Sequence, residues 1–113
     1  MQNEFKELLL NHVPQDPMLG PLRLKVIYRL AMLKTEKKEV RERGWAYHDK
    51  KPDCDNLIKM FQDSMGDLGF WKDDAQVVKL WVTKIRHKVS GIHVILEHET
   101  EEYPEEEEQD DKS

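Results

Sequence analysis

Residues 22 to 33, LRLKVIYRLAML, constrain the fold more than any other stretch. Leu22, Leu24, Val26, Tyr28, Leu30 and Met32 fall on one side of an extended chain, and Arg23, Lys25 and Arg29 on the other. This period of two is that of a half-buried strand. A sheet with one apolar face needs a second layer, and residues 55 to 68 supply it. At ~100° per residue, Leu57, Ile58, Phe61, Met65 and Leu68 fall within about 100° of helix circumference, while Asp55, Lys59 and Asp63 share the opposite side. The result is a helix with one buried face and an acid, base, acid stripe facing water. Gly66 and Gly69 fit its end.

The rest of the chain falls into place around these two elements. Residues 3 to 11, NEFKELLLN, read as a short helix capped by Asn3, with Phe5, Leu8 and Leu9 on one face. HVPQDPMLGP then breaks regular structure. Residues 34 to 50 are mostly charged and read as a surface loop with a helical turn. A strand is expected near 75 to 86, a turn at Ser90-Gly91, and a strand at 92 to 97, the last two forming a hairpin. The order α, β, α, β, β predicts an α+β domain with a small mixed sheet packed against two helices. A chain of 113 residues fits one such domain.

Charge divides the chain. Residues 97 to 113 hold ten acids against Lys112, a net of −9, whereas the whole chain carries −5. Residues 1 to 96 are therefore +4. A block of like charge with few apolar residues cannot offset its ordering entropy, so 99 to 113 is expected to be a disordered acidic tail after a body of 1 to 98. The basic body fits a polyanionic partner. One cysteine excludes an internal disulfide, and no Cys or His spacing suggests zinc. No apolar stretch is long enough for a signal peptide or membrane span, so the chain reads as cytoplasmic, with no membrane partner.

The chemistry-bearing segment is KPDCDNLIK, 51 to 59. Pro52 favours extended chain before the helix, so Asp53 and Asp55, two residues apart, can turn to one side. A hard divalent cation is held by one or two carboxylates plus water and phosphate oxygens. Lys59 lies one turn along and can meet a phosphate. Asp73 and Asp74, just before a strand, offer a third acid. Each feature also has an ordinary reading. Asp55 can be a helix cap, Asp53 a turn residue, Lys59 and Asp63 a solvated pair, and Asp73-Asp74 a polar turn. Spacing alone leaves these readings open.

The wider segment, KPDCDNLIKMFQDSMGDLGFWKDDAQVV, residues 51 to 78, resembles the signature of the RusA family of Holliday junction resolvases. That pattern, P-D-x-D-N-L-x-K-x-x-x-D followed by W-x-D-D-x-Q-V, is matched by Pro52, Asp53, Asp55, Asn56, Leu57, Lys59, Asp63, Trp71, Asp73, Asp74, Gln76 and Val77. The resemblance implies an Mg²⁺-dependent endodeoxyribonuclease that resolves four-way DNA junctions by paired symmetric nicks as a homodimer, in recombination and repair, with a prophage origin. It places the catalytic carboxylates on Asp53, Asp55 and Asp74 and the catalytic lysine on Lys59. The metal ligands would be Asp53, Asp55 and Asp74, with Asp73 beside them, and Lys51 and Asn56 of the same segment would contact DNA. Apart from the resemblance, Arg41 and Arg43 in the basic loop are candidates to track phosphates, with a solvated loop as the ordinary reading. The family opens with a strand and a basic aromatic loop, and this chain begins almost at the helix that follows. A family member lacking its first strand has an alternative role as a catalytically impaired DNA-binding or interaction protein.

Outside the motif, Cys54 reads as a small packed side chain rather than a nucleophile. Trp71 and Trp81 read as core, Trp45 and Tyr47 as candidates for stacking on bases, and His48 as a DNA contact or a bystander.

Overall fold

The computed structural model describes residues 2–104, with side chains from residue 4 onward. Helix α1 (Gln2–Leu9) runs into a 3-10 turn at Leu10–His12, followed by β1 (Leu22–Ala31), α2 (Lys38–Arg43), β2 (Trp45–Tyr47), α3 (Cys54–Leu68), a 3-10 turn at Asp74–Gln76, β3 (Val77–His87) and β4 (Gly91–His98). The strands form one mixed sheet in the order β2-β3-β1-β4. The α+β architecture is the expected one. The acidic stretch from 105 onward lies outside the described residues.

The sheet's inner face carries the alternation read from 22 to 33. Leu22, Leu24 and Val26 are fully buried and meet Leu57, Phe61 and Met65 of α3 and Phe5 and Leu9 of α1. The Phe5 and Phe61 rings lie 4.5 Å apart between centroids, and Lys6 Nζ pairs with Asp67 at 2.9 Å to tie α1 to α3. Each fully buried Leu, Val, Phe or Met contributes about 1.5–3 kcal/mol, so the α3 and β1 faces dominate the core. Helix α3 ends where Gly69 takes a left-handed φ of 93° and its N–H returns to Gly66 and Met65 carbonyls. Helix α1 already includes Gln2, so Asn3 lies within it and not at its cap. Among the described residues no helix is long and apolar enough to cross a membrane.

Two expectations about the sheet are corrected. The last two strands are not a hairpin: β1 lies between them, parallel to β3 and antiparallel to β4. The three-residue link 88–90 spans two strand spacings, about 10 Å, which so short a connection can reach. β1 and β3 each have neighbours on both sides, leaving β2 and β4 as the edges among the described residues. Residues 34 to 50 are also more ordered than a loop. They hold α2 and β2, and β2 pairs antiparallel with β3. This excursion is pinned by Arg86 of β3, whose guanidinium meets the Glu36 carboxylate at 2.5 Å with both side chains largely buried.

Candidate active site

The mouth of α3 is held by the sheet. Lys84 of β3 extends its ammonium to the carbonyl oxygens of Lys50 and Pro52, each at 2.7 Å. His48 Nε2 lies 2.8 Å from the Lys51 carbonyl, and its Nδ1 lies 3.3 Å from Arg86 Nη1. Both contacts are made together when Nε2 carries the proton and Nδ1 accepts. Four residues of loop, 49–52, are thereby fixed to β3 before the helix begins.

The helix starts at Cys54, one residue earlier than the sequence suggests. Asp53 is therefore the N-cap, in extended backbone, and Asp55 sits in the first turn. An N-cap aspartate ordinarily accepts a backbone N–H from that turn. Asp53 makes no such side-chain bond. Its half-exposed carboxylate faces the Lys51 ammonium at 3.5 Å. Asp55 Oδ1 accepts the Asn56 N–H at 3.0 Å. Two carboxylates are thus gathered at a helix N-terminus, where the partial positive charge of the helix favours negative groups. Lys59, one turn along, is exposed, and Asp63 follows another turn along. Cys54 is exposed rather than packed.

The second half of the motif is built from structural bonds. Trp71 is core, and its indole N–H donates to Asp74 Oδ1 at 2.7 Å. Asp73 caps the 3-10 turn, accepting from Ala75 N at 2.9 Å. Gln76 accepts from the Lys72 and Asp73 N–H groups and donates to the Met18 and Gly20 carbonyls. Asp73 therefore has the capping role that was one of its readings, and Gln76 is the joint between this turn and the segment before β1.

Asp74 is delivered to the far end of α3. A Cβ on Gly66 would lie 2.8 Å from Asp74 Oδ1, so the carboxylate rests directly on the glycine. Gly66 is eleven residues beyond Asp55, about 16 Å along the axis at ~1.5 Å per residue. Asp74 shares a shallow groove of about 300 Å³ with Asp63, Asp67, Asp73 and Lys72. Among the described residues, no three His, Cys, Asp or Glu side chains are grouped to hold a metal ion. As donors, Asp53 and Asp55 fit a hard divalent cation. Within one chain Asp74 does not join them.

The remaining predicted contacts are dispersed. Arg41 donates to the Leu33, Lys34 and Glu36 carbonyls and fastens its own loop. Arg43 lies 5.0 Å over the Trp45 ring. Lys51 and Asn56 are exposed at the helix mouth. Sequence reasoning weighed His48 only as a DNA contact or a bystander, and missed Lys84 and Arg86, whose partners are backbone oxygens and side chains distant in sequence. No local pattern signals such contacts.

A four-stranded mixed sheet, one helical layer, and paired acids at a helix mouth accompany a match over residues 1–97 to the family described as Endodeoxyribonuclease RusA. The chain belongs to this family of endodeoxyribonucleases. It is 31% identical over 94 residues to crossover junction endodeoxyribonuclease rusA of Lactococcus phage r1t, covering 83% of this chain and 62% of that protein. It is 33% identical over 90 residues to the uncharacterized protein YqaN of Bacillus subtilis strain 168, covering 75% of this chain and 63% of that one. The chain thus spans less than two thirds of the length of these relatives. No solved structure matches it significantly.

Proposed function

We propose that the protein is a divalent-cation-dependent endonuclease that resolves four-way DNA junctions by paired symmetric nicks. The observation that carries this reading is Asp53: a carboxylate at an N-cap that makes no capping bond, beside Asp55, on a loop fastened by Lys84. Evolutionary kinship to a crossover junction endodeoxyribonuclease supports the substrate class. Mg²⁺, held by Asp53 and Asp55, would polarise the phosphate and lower the pKa of a water. The chain's own residues do the rest. Lys59, about 6 Å along the helix from Asp55, places a cation where charge develops on the phosphate. Lys51 and Asn56 flank the same mouth and orient the strand. Hydrolysis breaks the P–O3′ bond, the water oxygen stays on the 5′-phosphate, and a proton ends on the 3′-oxygen.

The separation of Asp74 from Asp55 supports a homodimer in which one copy's Asp74 completes the other copy's Asp53–Asp55 pair. The test mixes two inactive chains, Asp55→Asn and Asp74→Asn, with a synthetic four-way junction and Mg²⁺. Wild type should give paired symmetric nicks and each variant alone none. The mixed dimer then holds one intact composite site and should nick a single strand. An inactive mixture would place all three acids within one chain's site, and equal cutting by Asp55→Asn alone would sink the nuclease reading.

The lack of a three-acid cluster among the described residues of a single chain favours a second reading, a junction-binding protein that does not cut. It predicts junction binding by wild type, with no metal-dependent product at any protein concentration.

A further inference from the structure

The sheet has a second face, and among the described residues no helix covers it. The described chain is a slab 46 × 44 × 20 Å, thick enough for one sheet and one helical layer. Strand alternation assigns the open face. Lys25 pairs beside Trp81, Arg29 beside Ile85, and Tyr47 beside Ile85 on its other side. Trp81 was expected in the core, yet it is 60% exposed, and Tyr47 is 68% exposed. A β-strand shows successive residues to opposite faces, and among the described residues only one face of this sheet has a covering layer.

The aromatic groups here are interleaved with cations. Lys25 Nζ lies 5.0 Å from the Trp81 ring centroid, and Arg43 lies 5.0 Å over Trp45, which meets Tyr47 edge-on at 5.0 Å. Arg29 Nε is buried with no hydrogen-bond partner. Glu97 and Glu99 neutralise Arg23 and Lys79 at one end of the face, which leaves Lys25, Arg29 and Arg43 as the excess charge. Trp81 and Tyr47 are offset by four strand residues, about 13 Å.

We propose that this open face is a docking surface for an unpaired nucleic-acid strand, whose bases stack on Trp81 and Tyr47 and whose phosphates lie along Lys25, Arg29 and Arg43. Aromatic platforms with a cationic track bind single strands without reading sequence. Charge selects this occupant over a second copy of the chain. A two-fold contact through this patch would bring the excess positive charge of two copies together. The surface lies on the side of the sheet away from α3, so it is distinct from the acids at the helix mouth. It suits a strand that leaves the paired arm being cut, and in that respect it rests on the nuclease reading.

The test titrates a twelve-residue oligothymidylate into the full chain without metal and follows tryptophan fluorescence. Quenching is expected, with a salt slope of about −2 for three phosphate contacts. Trp81→Ala, on an exposed side chain, should weaken binding about tenfold, as loss of one stacked base does. Lys25→Ala should reduce the slope by about one contact. Unchanged affinity in both variants overturns the proposal. So does a shift from dimer to monomer in Trp81→Ala with oligothymidylate binding intact, because the face would then be a self-interface. A protein that binds the oligonucleotide but cuts no junction leaves this surface standing and removes the nuclease reading. A protein that cuts junctions but ignores the oligonucleotide does the reverse.

Discussion

The indole of Trp71 and the carboxylate of Asp74 are joined at 2.7 Å, one group in the core and the other at the surface. A buried ring thus aims an exposed acid. Trp71→Phe keeps much of the packing and removes the donor. The expected cost is about 2 kcal/mol, from the lost bond to a charged group and the smaller ring, measured by urea unfolding. Junction cutting should fall further than junction binding, because Asp74 loses its direction and the protein keeps its surface.

Gly66 tests the same carboxylate from the other side. Alanine improves helix propensity by up to about 1 kcal/mol, but its Cβ would meet Asp74 Oδ1 at 2.8 Å and Trp71 Nε1 at 3.3 Å. The acid must move. Gly66→Ala is expected to unfold within about 1 kcal/mol of wild type while losing most of its cutting. Thermal melts alongside a junction assay separate the two effects.

Lys84 is expected to matter more than its exposure suggests, because its ammonium holds the loop that carries Asp53. Lys84→Met retains the stem and discards both bonds to the Lys50 and Pro52 carbonyls. The amides of 50–55 should exchange hydrogen faster, and stability should drop by about 1–3 kcal/mol. Exchange confined to the chain termini, with this loop unchanged, would show that the anchor is not needed.

Ser64 is fully buried in α3, and its Oγ has no hydrogen-bond partner. Burying an unpaired hydroxyl is costly. Ser64→Ala should therefore stabilise the protein by about 1 kcal/mol, seen as a higher urea midpoint with an unchanged slope.

Glu36 should contribute to acid sensitivity, as should Glu99, whose carboxyl Lys79 and Arg23 hold low. The Arg86 guanidinium, helped by the Leu33 N–H, holds the Glu36 carboxyl below the ordinary 4.5, against the opposing effect of burial. Because the folded value is the lower one, the pair's contribution is complete above pH 4.5 and is lost as pH falls through the folded value. Glu36→Gln should melt at a lower temperature at neutral pH. Its melting temperature should then fall less steeply than wild type's below pH 4.5, so that the two curves converge in acid.

The sequence by itself determined the faces. The alternation from Leu22 fixed which side of β1 is apolar, and the spacing of Leu57, Phe61 and Met65 fixed which side of α3 meets it. The run from Pro52 to Val77 was sufficient to point to the family. Periodicity reports the side on which a residue lies and says nothing of its neighbours. The tertiary structure alone decided that β1 separates β3 from β4, and that Trp81 lies on a face that no helix covers among the described residues. It also decided that Lys84 and His48 fasten the loop before α3. It set Asp74 on Gly66, a helix length from Asp55, because the Trp71 indole and the Gln76 bonds hold the turn there. Local sequence chooses an element and its apolar side. Burial of the whole chain's apolar surface chooses which elements meet, and with that which acids stand together.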